Sequence, residues 1–176
     1  MKPDALIVID VQRELVGEHP YQATQLLERI LALQTACRAK GIPVMFVQHT
    51  EDEGPLVHGE PTWHIESEIA PLPAEWVFEK HERSAFYQTG LDARLKALGA
   101  KKLLLCGMQT EYCVDSTTKA GFELGYSITI PQGCTTTYDN AILKASDIIL
   151  FYERYIWNGH LATVEPLEQV LDSIRR

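Results

Sequence analysis

Three residues, Cys113, Asp10 and Lys80, have the types needed for nucleophilic attack on a carbonyl. Cys113 follows an apolar run, Leu103 to Cys106, then Gly107 and a polar stretch that reads into a helix. The run is continuous rather than alternating, which predicts a buried parallel strand ending at the glycine. With Thr110 as N-cap, the Cys113 thiol falls in the first helical turn, where free N–H groups and the positive dipole end stabilise a thiolate. Thiol attack also needs a group that accepts and returns the thiol proton, and donors for the developing oxyanion. A carboxylate such as Asp10 can take the proton, while a cation such as Lys80 lowers the thiol pKa and holds the carboxylate. Backbone N–H groups in the turn before Cys113 are candidate oxyanion donors.

The other cysteines read differently. Cys37, in a helix, and Cys106, in the apolar run, fit small core hydrophobes, and Cys134, between Gly133 and Thr135, fits either role. The four thiols have no C-x-x-C spacing, which argues against a disulfide framework or structural zinc and for a reducing cytoplasm. On position alone Asp10 could equally cap a helix, and Lys80 could be a solvated surface lysine.

These side chains must be placed by the elements that precede them. A strand from Ala5 to Ile9 ends at Asp10. Leu26, Leu27, Ile30, Leu31, Leu33 and Ala36 repeat at helical spacing over Gln22 to Lys40, closed by Gly41, and a strand from Pro43 to Val47 leads to Gln48 and His49. Trp76 to Phe78 is a third strand, followed by Lys80. Helices are expected over Thr89 to Leu98, Glu111 to Leu124, Ala141 to Tyr155 and Pro166 to Ile174, with strands at Tyr126 to Ile130 and Leu161 to Val164. Pro131 to Asp139 reads as a polar loop. Alternating strands and helices make right-handed parallel crossovers, hence an α/β fold, and ligands bind beyond the carboxyl ends of such strands. Asp10, Gln48, His49, Lys80 and Cys113 all reach that edge.

The segment 51–75, with Pro55, Pro61, Pro71 and Pro73, is irregular and reads as a lid or partner-contact loop. It holds His58, Trp63 and His64. With His49 these suggest a metal site, but their spacing fits no ligand pattern, and loop histidines are the favoured reading.

A chain of 176 residues, 45% hydrophobic and 23% charged, predicts one domain over 1–176 with a full core. A net charge of −8 without a basic cluster argues against nucleic acid or a membrane surface as partner. The opening apolar run is too short for a signal peptide or membrane span. The first strand leads into Asp10-Val-Gln rather than a Gly-rich phosphate loop, which disfavours a nucleotide-binding domain.

On three motifs the chain resembles the isochorismatase-like cysteine hydrolases, the superfamily of nicotinamidases and N-carbamoylsarcosine amidohydrolases. They are Val8-Ile9-Asp10-Val11-Gln12, Lys80 with Ser84-Ala85-Phe86, and Gly107-Met-Gln-Thr-Glu-Tyr-Cys113-Val114, close to G-x-x-T-x-x-C-V. The resemblance runs from residue 4 to about residue 150. It implies a three-layer α/β/α fold with a six-stranded, mostly parallel Rossmann-like sheet, and an Asp10, Lys80 and Cys113 triad. It also implies a cis peptide between Met108 and Gln109, with the N–H groups of Gln109 and Cys113 facing the oxyanion. A homo-oligomer whose neighbouring loop closes the pocket is implied as well. The Asp-x-His of metal-dependent nicotinamidases is replaced by Gln48-His49-Thr50-Glu51-Asp52, so neither metal nor cofactor is expected. Members that cleave a vinyl ether lack the cysteine, which points this chain to amides. The expectation is hydrolysis of a small amide through a Cys113 thioester, with Asp10 as base and acid and Lys80 as charge partner. Gln48, His49, Trp63, Phe86 and Tyr112 are the expected pocket walls. The rival reading is a catalytically silent binding domain of the same fold.

Overall fold

The computed structural model describes residues 2–176, so Met1 of the domain expected over 1–176 lies outside the described residues. Among the described residues one sheet has seven strands: β1 (Ala5–Ile9), β2 (Val44–His49), β3 (Trp76–Lys80), β4 (Lys102–Met108), β5 (Ser127–Pro131), β6 (Thr135–Thr136) and β7 (Thr163–Glu165). Their order is β3-β2-β1-β4-β5-β7, with β6 beside the end of β4, and every paired strand runs parallel. The strand beyond the expected six is β6, which pairs Thr135 and Thr136 with Gly107 and Met108 in the stretch read as a loop.

Side chains of β1 are all buried and alternate between two cores, as the period of two requires. A short helix, α1 (Arg13–Gly17), follows β1. Leu6 and Val8, in register with Leu104 and Cys106, face Leu26, Ile30, Leu33 and Cys37 of α2 (Ala23–Ala39) and Val170, Leu171 and Ile174 of α6 (Leu167–Arg175). Ala5, Ile7 and Ile9 face the opposite layer, with Leu91 and Leu95 of α3 (Leu91–Ala97), Val114 and Trp157. Burying each large aliphatic side chain contributes about 1.5–3 kcal/mol, so the central strands are fixed from both sides. The outcome is the expected three-layer α/β/α fold.

Element ends differ from expectation where the site lies. Strands β2, β3 and β4 run on to His49, Lys80 and Met108, so residues read as lying past the strands close them instead. Gly107 does not stop its strand. It has φ of 125°, and a Cβ there would lie 2.0 Å from the Ile9 carbonyl oxygen, so the glycine admits the close approach of β1. Thr110 is not an N-cap: its hydroxyl bonds Thr135 Oγ1 and the Thr136 carbonyl, each at 3.2 Å. Residues Thr110–Val114 form a π-helical turn before α4 (Asp115–Glu123), and Tyr152–Trp157 form another after α5 (Ala145–Phe151). Before α3, Gly90 takes the capping position in a left-handed conformation, while the Thr89 hydroxyl accepts from the Leu91 N–H at 3.2 Å.

The irregular segment is tied down. Leu56, Trp63, Ile65 and Ile69 are buried, Gln34 Nε2 donates to the Ile69 carbonyl at 3.0 Å, and Arg38 grips Glu75 with two bonds of 2.8 Å.

Candidate active site

Asp10 immediately follows β1, and its φ of 52° turns the chain sharply out of the sheet. Its N–H donates to the Val47 carbonyl at 2.9 Å, which joins the turn to β2. Lys80 closes β3, two strands away, and its side chain crosses the end of β2 to reach Asp10. Nζ lies 2.7 Å from Asp10 Oδ2, with both side chains shut off from solvent. It also lies 3.3 Å from Cys113 Sγ, 3.1 Å from the Glu82 carbonyl and 3.1 Å from His49 Nδ1. An ammonium has three hydrogens, so four acceptors compete for them. The structure thus brings Asp10, Lys80 and Cys113 together at one end of the sheet.

The electrostatics of the thiol differ from the sequence expectation of a low pKa. Burial and then the Asp10 charge push Cys113 up to about 12, and Lys80 pulls it back only in part. The resting group is therefore a thiol, because partial burial strips a thiolate of part of its solvation and the Asp10 carboxylate repels it. Burial opposes the charge on Lys80, but Asp10 and Cys113 more than offset it and raise Lys80 above its ordinary value. Asp10 Oδ1 is buried and has no hydrogen-bond donor from the protein.

A cavity of about 390 Å³ opens over these groups. Of the expected walls, His49 and Tyr112 line it. Gln48, Trp63 and Phe86 do not. Gln48 is buried and its Nε2 donates to the Trp63 carbonyl at 2.9 Å, while Trp63 Nε1 donates to Thr50 Oγ1 at 2.9 Å. Both side chains anchor the irregular segment. Phe86 stacks on Tyr126 at 5.6 Å and packs against Gly121. Strand alternation explains Gln48: neighbouring strand residues point to opposite faces, so His49 and Gln48 cannot both face the cavity.

Glu51, Leu56, His81 and Arg83 also line the cavity, and sequence reasoning did not name them as walls. His81 and Arg83 follow the strand-end lysine directly, so the rule that singled out Lys80 could have extended to them. The Arg83 guanidinium lies over the Tyr112 ring, 4.4 Å from its centre. Gln12 was missed as a positioning residue. Its Nε2 donates to the carbonyls of His49 at 2.9 Å and Trp63 at 2.7 Å, and its Oε1 accepts from the His49 N–H at 2.9 Å. One wholly buried side chain thus ties the ends of β1 and β2 to the irregular segment.

His58 and His64 do not join His49. Their rings pack on Trp63 at 4.6 and 5.3 Å, and His58 Nδ1 meets Glu79 Oε2 at 2.9 Å. Among the described residues no group of three or more His, Cys, Asp or Glu side chains is arranged to hold a metal ion. The peptide between Met108 and Gln109 is cis.

A family model described as an isochorismatase domain matches residues 4–146, most of the chain and all the residues of this site. The chain belongs to the isochorismatase family. Among relatives, the streptothricin hydrolase of Streptomyces noursei is 35% identical over 147 residues, which cover 82% of this chain and 52% of that enzyme. The ureidoacrylate amidohydrolase of Stutzerimonas stutzeri is 29% identical over 161 residues, 69% of this chain and 65% of that protein. The chain therefore spans between half and two thirds of the length of these two relatives. A crystal structure of an isochorismatase-family protein superposes with a TM-score of 0.86 at 32% identity, covering 91% of this chain and 96% of that one. No helix among the described residues of this family member is long and apolar enough to cross a membrane.

Proposed function

We propose that this protein hydrolyses the C–N bond of a small amide through a thioester on Cys113. The observation that carries the reading is the position of the buried Lys80 ammonium, 2.7 Å from Asp10 and 3.3 Å from the Cys113 sulfur, where Asp10 and Cys113 line a cavity sized for a small molecule. The family supports it, since relatives are named as a hydrolase and an amidohydrolase.

With the thiol pKa held well above its ordinary value, thiolate is scarce at neutral pH. Attack must therefore couple to proton transfer, and Asp10, with one carboxylate oxygen that no protein donor occupies, is the acceptor. Sulfur adds to the amide carbonyl as the proton passes to Asp10. The backbone N–H groups of Gln109 and Cys113 stabilise the oxyanion. Collapse of the tetrahedral intermediate breaks the C–N bond, and Asp10 gives its proton to the leaving nitrogen. Water, activated by Asp10, then hydrolyses the thioester and releases the carboxylic acid and the free thiol. Lys80 stays charged throughout and stabilises whichever of Asp10 and Cys113 is anionic.

A panel of small primary amides, assayed by ammonia release, tests this reading. Turnover of at least one amide by the native protein, with loss in Cys113→Ala and a Cys113 acyl adduct in quenched reactions, is the expected result. Release of ammonia that persists in Cys113→Ala would overturn it.

A further inference from the structure

His49 closes β2 on the wall of the cavity that holds Cys113. Its backbone is held at both ends by Gln12, through two bonds of 2.9 Å, and its ring is held through Nδ1, 3.1 Å from Lys80 Nζ. An ammonium can only donate, so Nδ1 carries the lone pair and the ring proton sits on Nε2. Burial and the Lys80 charge keep the His49 pKa below its ordinary value, so the ring is neutral at neutral pH. Nε2, on the other side of the ring from Nδ1, faces Glu51, which lines the same cavity. Its neighbour Glu51 Oε1 is 3.8 Å away, beyond a hydrogen bond. Among the described residues this N–H has no hydrogen-bonding partner, yet its backbone and ring are both fixed.

We propose that His49 determines substrate specificity, its Nε2–H binding a second, uncharged carbonyl oxygen on the amide that Cys113 attacks. The inference rests on the amidohydrolase reading of the site. The scissile carbonyl oxygen is served by backbone donors beside Cys113, which leaves the histidine N–H for another acceptor. Glu51, beside Nε2, repels a carboxylate in that place, so the acceptor is neutral. The substrate class is a short amide with a further carbonyl a few bonds from the scissile one, as in a diamide or an N-acyl amide.

Three probes separate the possibilities: succinamide, which has the second neutral carbonyl; butanamide, which lacks it; and succinamate, which has a carboxylate instead. For the native protein the KM for succinamide should lie about tenfold below that for butanamide, the size of one well-placed hydrogen bond. In His49→Phe that ratio should collapse towards one, and in His49→Gln, whose side chain can still donate, part of it should return. Glu51→Gln should lower the KM for succinamate. Nitrogen NMR of the native protein should place the ring proton on Nε2; a proton on Nδ1 overturns the proposal. So does a KM ratio near one in the native protein, or one that survives in His49→Phe. Calorimetric binding to Cys113→Ala gives the same contrast without turnover. Equal affinity for succinamide and butanamide there, or no binding of either, overturns the assignment of His49. A clear affinity contrast in Cys113→Ala, when the native protein hydrolyses neither amide, would support His49 and refute the amidohydrolase reading instead.

Discussion

Lys80 Nζ and Asp10 Oδ2 lie 2.7 Å apart in an ion pair with side-chain exposures of 0% and 1%. Removing the cation strands a carboxylate where water cannot reach it, which in buried pairs costs about 3–5 kcal/mol. Lys80→Met should lower the unfolding free energy by that amount in a urea titration. The double variant Asp10→Asn with Lys80→Met should recover part of the loss, because no uncompensated charge remains. Equal loss in both would show that the pair does not act as a unit.

Reactivity of the thiol should follow its neighbours in opposite directions. Asp10 raises the Cys113 pKa and Lys80 lowers it, so iodoacetamide should label Cys113 faster in Asp10→Asn and slower in Lys80→Met than in the native protein. At neutral pH native labelling should be slow, since the group is pushed up to about 12. Rapid labelling of the free protein below pH 7, followed by peptide mass spectrometry, would contradict the burial argument.

Alkaline stability carries a sign fixed by the same shifts. Cys37, Cys113 and Cys134 are each raised to about 12 in the folded state, mainly by burial, against about 8.5 for an unfolded thiol. The native state therefore holds more protons in that range. The stability is fully present below about pH 8.5 and declines as pH rises towards 12. Urea midpoints from pH 8 to 11 should fall, and replacing Cys37 by Ala should flatten the slope.

Gln12 offers a test of positioning. Gln12→Leu removes the Gln12 bonds to the His49 N–H and carbonyl, while the Trp63 carbonyl keeps the donor from Gln48, and each buried group left unsatisfied costs about 1–3 kcal/mol. We expect a drop in melting temperature together with faster amide hydrogen exchange at His49. Unchanged exchange would mean that another contact fixes the end of β2.

Two glycines with positive φ should respond unequally to alanine. At Gly107 a Cβ would lie 2.0 Å from the Ile9 backbone oxygen, so Gly107→Ala should fail to fold or lose most of its stability. At Gly41, φ is 64° and nothing lies within 4 Å, so Gly41→Ala should cost only about 1 kcal/mol, the local penalty of the left-handed backbone. Comparable losses at both would remove the argument from the β1 and β4 contact.

Much of this molecule was open to reading from the chain. Continuous apolar runs at Ala5 to Ile9 and Leu103 to Cys106 can be stable only when covered on both faces, so a parallel sheet between helical layers follows from local pattern. The residue types at strand ends, Asp10, Lys80 and Cys113, likewise stand in the sequence. What sequence could not supply was decided by contacts between distant segments. Gly107 looked like a strand end because the approach of Ile9 is invisible in the chain, and Thr110 looked like a cap because its bonds to Thr135 and Thr136 cross a gap of some 25 residues. Gln48, Trp63 and Phe86 were placed on the pocket by position, whereas strand alternation and packing turn them away. The resting protonation of Cys113 belongs to the tertiary structure alone: a helix start favours a thiolate, but enclosure beside Asp10 raises the pKa more than Lys80 lowers it, and only the folded chain sets those separations.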